Sequence, residues 1–357
     1  MKRFLCLFVF IFLFSFKYPD PLRGRLPTST NPSIISLTTH TPLSFLFKLN
    51  GFKGFPDSKV IGFNLPDDTV VADFFQEQMG TLGPPPGYKT GAYYPGTVWV
   101  SDNKLLDEVE VSNLDWMEFV SSTRLIQSDE QAQKMMPNLK TLPVENYYRS
   151  PFYRYFPVVG ITYEQVLEYC RWRTEVVNKK FVEDQRSGKL KTSKKVRLIY
   201  RLPSEKEWET YAACGINLKK YPLGFKYPFA EIEVNPKAGK YLKFAGQLEQ
   251  VEDKIKEDIK VYNKSHPKVP LFRVKYSDLP YFLQAKSPSY IFNLPINNYG
   301  LYNMIGNVSE MVMEKGISKG GSYNTSLENC AIQNKIPYSG ASNEIGFRAL
   351  CEILSAE

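Results

Sequence analysis

Asn298-Tyr299-Gly300-Leu301-Tyr302-Asn303-Met304-Ile305-Gly306-Asn307-Val308-Ser309-Glu310 is the stretch on which the reading turns. Downstream come Gly320-Gly321-Ser322-Tyr323, then Cys330, then Gly346-Phe347-Arg348. By residue chemistry alone the first segment is an Asn-Gly turn with a solvent-facing Glu310, and Ser322 is a turn residue behind two glycines. Neither reading carries chemistry by itself, so the rest of the chain decides what these turns belong to.

Working backward, three capping boxes mark helix starts. Ser112-Asn113-Leu114-Asp115 opens a helix whose stripe is Leu114, Met117 and Val120, reaching about Ser121. Thr162-Tyr163-Glu164-Gln165 opens a second, with Tyr163, Val166, Leu167, Cys170 and Val177 on one face, reaching about Lys180. Cys170 on that face reads as a buried core thiol. Ser204-Glu205-Lys206-Glu207 opens a third, which buries Trp208, Tyr211 and Ala212 and stops at Gly215. Residues 97–100 and 196–202, rich in β-branched and aromatic side chains, read as strands. Residues 73–78 read as a short helix. Residues 247–262 alternate acid and base around Val251, Ile255 and Ile259, which suits an amphipathic surface helix, either solvated or docked. Strands and helices mix without βαβ alternation, so the fold class is α+β.

Domain organisation follows from composition. Residues 1–17 combine Met1-Lys2-Arg3 with an apolar run over residues 4–16, the pattern of a signal peptide or an N-terminal anchor. Cys6 lies inside that run. Residues 18–87 are irregular and end in the stiff spacer Gly83-Pro84-Pro85-Pro86-Gly87. Residues 88–357 form the folded domain, with a charged insertion at about 240–287. Export would place Cys170, Cys214, Cys330 and Cys351 in an oxidising compartment, where four cysteines permit three pairings.

Bulk numbers exclude several classes. Over 357 residues, 43% are hydrophobic and 14% aromatic, which demands a packed core. The net charge of +8 falls in local lysine runs and not in a helical stripe, so a nucleic-acid partner is not expected. The two histidines, His40 and His266, sit in no motif and read as exposed loop residues; two are too few for a histidine zinc site.

Six segments in order resemble the formylglycine-generating enzyme, or sulfatase-modifying factor, family. They are residues 107–113 with Phe119, residues 156–163 with Tyr169-Cys170-Arg171-Trp172, residues 201–209, residues 300–310, the Gly-Gly-Ser turn and Gly346-Phe347-Arg348. The resemblance implies an irregular α+β fold related to the C-type lectin domain. Tyr147-Tyr148-Arg149-Ser150-Pro151-Phe152 and Arg171-Trp172-Arg173-Thr174-Glu175 are most similar to the branch of gliding-motility lipoproteins J and K, which serve gliding and type IX secretion.

The resemblance also assigns sites. Catalytic members bind copper through two cysteines after the Gly-Gly-Ser turn; here the second is Cys330 and the first position holds Thr325. Cuprous ion prefers thiolates, and a hydroxyl is a hard, neutral substitute, so copper is not expected. Cys330 and Ser322 are what remains of the catalytic set, and Trp-to-Ser at Ser309 erodes it further. A family calcium site maps onto the Asn303 side chain, the Gly306 and Val308 carbonyls and Glu310, a set of hard oxygens suited to calcium. A family disulfide maps near Cys214 and Cys351. The expectation is an exported, non-catalytic domain in a bacterial envelope assembly, with envelope proteins as partners, no nucleic acid, and membrane association through the N-terminal segment. The alternatives are a formylglycine-generating oxidase and a glycan-binding lectin-like module.

Overall fold

The computed structural model describes residues 36–41, 94–149, 153–190, 196–226, 231–232, 252–265, 269–270, 272–276, 284–292 and 295–355. The expected signal segment, the spacer, the helix at residues 73–78 and His266 lie outside them.

All three capping boxes form. Ser112 caps α1 (Asn113–Ile126), with Asp115 returning the bond. Thr162 and Gln165 cap α3 (Tyr163–Arg186), after the short α2 (Asp129–Lys134). Ser204 and Glu207 cap α4 (Glu205–Ala213), which Cys214 ends in the left-handed conformation. Each box satisfies two of the orphan N–H groups at a helix start. The helix expected at residues 247–262 is α5 (Glu252–Ser265); it buries Ile259 and exposes Val261.

The main sheet runs β1-β2-β10-β3, with β1 at Thr97–Ser101, β2 at Lys104–Asp107, β3 at Val196–Arg201 and β10 at Leu350–Ser355. All three pairings are antiparallel. β3 is an edge strand, and α3 closes part of that edge. Asn178 donates to the Leu198 carbonyl at 2.8 Å and accepts from its N–H at 3.0 Å, while Thr174 Oγ1 accepts from Tyr200 N at 2.9 Å. These bonds occupy strand groups that would otherwise invite pairing. A pair β4 (Glu231–Ile232) and β5 (Val269–Pro270) stands apart. A second sheet runs β8-β7-β6-β9, from β6 (Ser309–Met311), β7 (Ile317–Lys319), β8 (Ile336–Pro337) and β9 (Ile345–Gly346). Only β6 and β9 are parallel.

Apolar packing falls into three clusters. One joins α1 and α3 to the main sheet through Trp116, Tyr169, Leu198 and Phe347; Cys170 lies within it, as its helical face requires. A second holds Leu37, Leu114, Tyr147, Tyr155 and Tyr302. The third packs Trp208 and Tyr211 of α4 against Leu301, Met304, Val312 and Cys330. The described residues between 284 and 349 therefore contribute to all three clusters.

Candidate functional site

The Gly-Gly-Ser turn builds the site. Gly320 and Gly321 both have positive φ, +85° and +77°. A β-carbon at Gly321 would stand 2.3 Å from the Cys330 sulfur, so only glycine lets that thiol sit behind the turn. Cys330 closes a short 3-10 turn (Leu327–Cys330), is fully buried, and donates to the Ser326 carbonyl at 3.3 Å. Burial pushes its pKa up to about 12, with Glu328 adding to the effect. At neutral pH it is a thiol, and the thiolate is the form that attacks or binds metal.

Thr325 faces Ser322 from across the turn, and its Oγ1 accepts from Ser322 N at 3.0 Å. Ser322 Oγ donates to Glu344 Oε2 at 2.5 Å and accepts from Asn324 N at 3.1 Å. Asn324 in turn donates to the other Glu344 oxygen at 3.0 Å. Ser322 is buried, and its hydroxyl is spent on holding the loop. Outside this turn lies an open cleft of about 710 Å³, walled by Lys275, Tyr276, Asn324, Thr325, Ser326 and Leu327 with Glu328 and Asn329. The structure thus brings Ser322, Thr325 and Cys330 together in one turn, but leaves only Thr325 of the three on the cleft wall. Two thiolates are what cuprous ion needs. This site presents one protonated, enclosed thiol and a hydroxyl, and the residues do not fit copper.

Beneath the turn lies the buried polar centre. Arg348 places all its donors: Nε on Glu310 Oε2 at 2.7 Å, Nη2 on Glu310 Oε1 at 2.6 Å and the Tyr302 carbonyl at 2.8 Å, Nη1 on the carbonyls of Asp107 and Glu108. Trp208 Nε1 adds a bond to Glu310 Oε2 at 2.7 Å. Asn303 and Asn307 each donate to Glu110, at 3.0 and 2.9 Å, and Asn303 also donates to the Ile291 carbonyl. Burial raises the Glu110 carboxyl to about 7; Arg348 opposes that and the Glu310 charge reinforces it. Asn303 and Asn307 adopt positive φ, 52° and 62°, which asparagine tolerates better than most residues.

Asn303, Gly306 and Val308 lie in the irregular segment that leads into β6, where Glu310 sits. Their oxygen types suit calcium. Their arrangement does not: the Glu310 carboxylate is already neutralised by a bidentate guanidinium, and a cation approaching it would meet Arg348. Among the described residues no group of three His, Cys, Asp or Glu side chains is placed to hold a metal.

The Cys214–Cys351 link that the resemblance implies is not made. Cys214 and Cys351 are separate free thiols, as are Cys170 and Cys330. Cys351 lies in β10 between Leu105 and Tyr200, inside the main sheet, whereas Cys214 ends α4. His40 is exposed, as expected. Residue reading missed Glu110 and Glu344. Glu110 is flanked by Val109 and Val111 and looks like the polar phase of a strand; Glu344 sits in a polar run with no spacing signal.

A sulfatase-modifying factor enzyme 1-like domain matches residues 87–353, and the chain belongs to that family. Among solved structures, similarity extends to variable protein 1 of Treponema denticola (15% identity, TM-score 0.36, covering 72% of this chain and 91% of that one). It extends also to PvdO from Pseudomonas aeruginosa (16%, 0.38, 76% and 90%) and to CarF (15%, 0.35, 72% and 95%). No curated protein matches the chain.

Proposed function

We propose that this chain is a non-catalytic member of its family that serves as a binding component of a bacterial envelope assembly of the gliding or type IX secretion type. The observation that carries the first half is the Gly321–Cys330 packing: the one thiol near the cleft is enclosed and held protonated. Ser322, the other catalytic candidate, has its hydroxyl committed to Glu344. The cleft beside them offers amides, hydroxyls, Lys275 and Glu328, the groups that bind another protein's polar surface.

The envelope half rests on the sequence: the apolar run at residues 4–16 supports export and membrane association, and the resemblance of residues 147–152 and 171–175 supports the branch. Their buried members have structural work. Tyr147 donates to the Pro157 carbonyl at 2.7 Å, and Arg173 pairs with both Asp107 oxygens at 2.8 Å.

The test is direct. The protein is incubated with cuprous ion, oxygen and a sulfatase-type cysteine peptide, alongside a catalytic family member, and the peptide is weighed by mass spectrometry. No aldehyde is expected from this chain. Conversion above the no-protein control would overturn the non-catalytic reading.

A further inference from the structure

Residues 36–41 lie outside the matched family range of 87–353, yet they are seated in it. The six residues form a closed turn: Ser36 N donates to Thr41 O at 2.9 Å, and Ser36 Oγ accepts from the N–H groups of Thr38 and Thr39. Three hydroxyls of this turn converge on one carboxylate of α1. Ser36 Oγ donates to Glu118 Oε2 at 2.6 Å, and Thr39 and Thr41 each donate to Glu118 Oε1 at 2.6 Å. Thr38 Oγ1 donates to Asp115 at 3.1 Å, and Arg173 of α3 donates from Nε to the Thr38 carbonyl at 2.9 Å. Leu37 enters the apolar cluster with Leu114, and its carbonyl would stand 2.7 Å from a β-carbon at Gly96.

This is receptor geometry. Glu118 is buried at mid-helix, and every side-chain partner shown for it comes from the turn. A buried carboxylate without donors is costly, so the seat is shaped for a ligand bearing hydroxyls. The turn leaves one residue, His40, exposed and without a hydroxyl, so the pattern read by the seat is Ser-Leu-Thr-Thr-X-Thr. The 52 residues between Thr41 and Tyr94 make the turn a tethered ligand in covalent terms, because a chain of that length spans up to roughly 170 Å when extended.

We propose that the seat formed by Gly96, Asp115, Glu118 and Arg173 is a binding site for a hydroxyl-rich peptide turn, and that the chain's own residues 36–41 are its exchangeable occupant. Recognition needs no covalent link, since the bonds described here are non-covalent.

The test uses the full chain with a protease recognition sequence placed between residues 42 and 93. After cutting, the fragment carrying residues 36–41 is expected to stay with the remainder in native mass spectrometry. A synthetic peptide of residues 33–44 should displace it. The same peptide with Ser36→Ala, Thr39→Ala and Thr41→Ala should need at least about a hundredfold more, because hydrogen bonds to a carboxylate contribute roughly tenfold or more each. Loss of the fragment while the remainder keeps its circular-dichroism spectrum would overturn the proposal, as would equal competition by both peptides or no displacement by either. Should cutting unfold the remainder, uptake is read on the uncut chain carrying the three alanine substitutions, with a fluorescent peptide of residues 33–44. Uptake at least about a hundredfold stronger than by the unsubstituted chain is expected, and none by a folded variant would sink the idea.

Discussion

A β-carbon at position 321 would stand 2.3 Å from the Cys330 sulfur and 3.1 Å from its Cβ, on backbone that already has positive φ. Gly321→Ala therefore meets two penalties, left-handed strain and overpacking, each of roughly 1–3 kcal/mol. Together they cost roughly 2–6 kcal/mol, which at about 2 °C per kcal/mol for a domain of this size lowers the melting temperature by about 4–12 °C. Differential scanning calorimetry checks it; an unchanged melting temperature would mean that Cys330 is free to move, and with it the argument for an enclosed thiol. The Gly-Gly-Ser motif was legible in the sequence as a turn. That the second glycine exists to seat a sulfur nine positions later was not, because a steric contact between a backbone and a distant side chain leaves no periodic trace.

At the scale of elements, the sequence segments that carried the family resemblance converge on one point. Arg348, from the segment before β10, grips Glu310 of β6, which also accepts from Trp208 of α4. Removing one partner of a buried pair leaves an uncompensated charge, which costs about 3–5 kcal/mol. Arg348→Met should lose that much in urea unfolding, and Arg348→Met with Glu310→Gln should recover a good part of it. A double variant no better than the single would show that the pair is not the unit. α1 carries another buried acid, Glu118. Burial raises Glu118 from 4.5 to about 7, with the Ser36, Thr39 and Thr41 hydroxyls opposing the rise. A carboxyl whose folded pKa lies above its unfolded one favours folding when protonated, so its contribution is complete below about pH 4.5 and is lost as pH climbs toward 7. The loss is bounded at about 3 kcal/mol. Glu118→Gln should flatten that part of the stability profile between pH 5 and 7, read by chemical denaturation; an unaltered slope would remove Glu118 from the account. Helix starts were legible because capping boxes are local chemistry; Glu118 was not, because its partners lie 77–82 positions away.

For the whole molecule, the family and its α+β class were legible from six ordered motifs, and the match over residues 87–353 agrees. The four positions mapped to calcium span a loop and the start of β6, but which charge sits beside Glu310 was not legible, because Arg348 reaches it across 38 positions. With that guanidinium in place, millimolar calcium should shift the melting temperature no more than magnesium does. A stabilisation specific to calcium would show that Arg348 yields to a cation, and the loop would then be a metal site after all.

The position of β10 has a consequence for how the chain reaches this state. β10 lies between β2 and β3, and the Ala349 N–H donates to Asp107 across 242 positions. Strand partners so far apart in the chain make a slow, high-contact-order search. While β10 is unmade, β2 and β3 each expose a bare edge, the template on which unfinished chains pair with one another. A ribosome must deliver Leu350 before the main sheet can close. Folding yield should therefore depend on how well those two edges are guarded during that interval, by a chaperone or by dilution, more than on the stability of the finished protein.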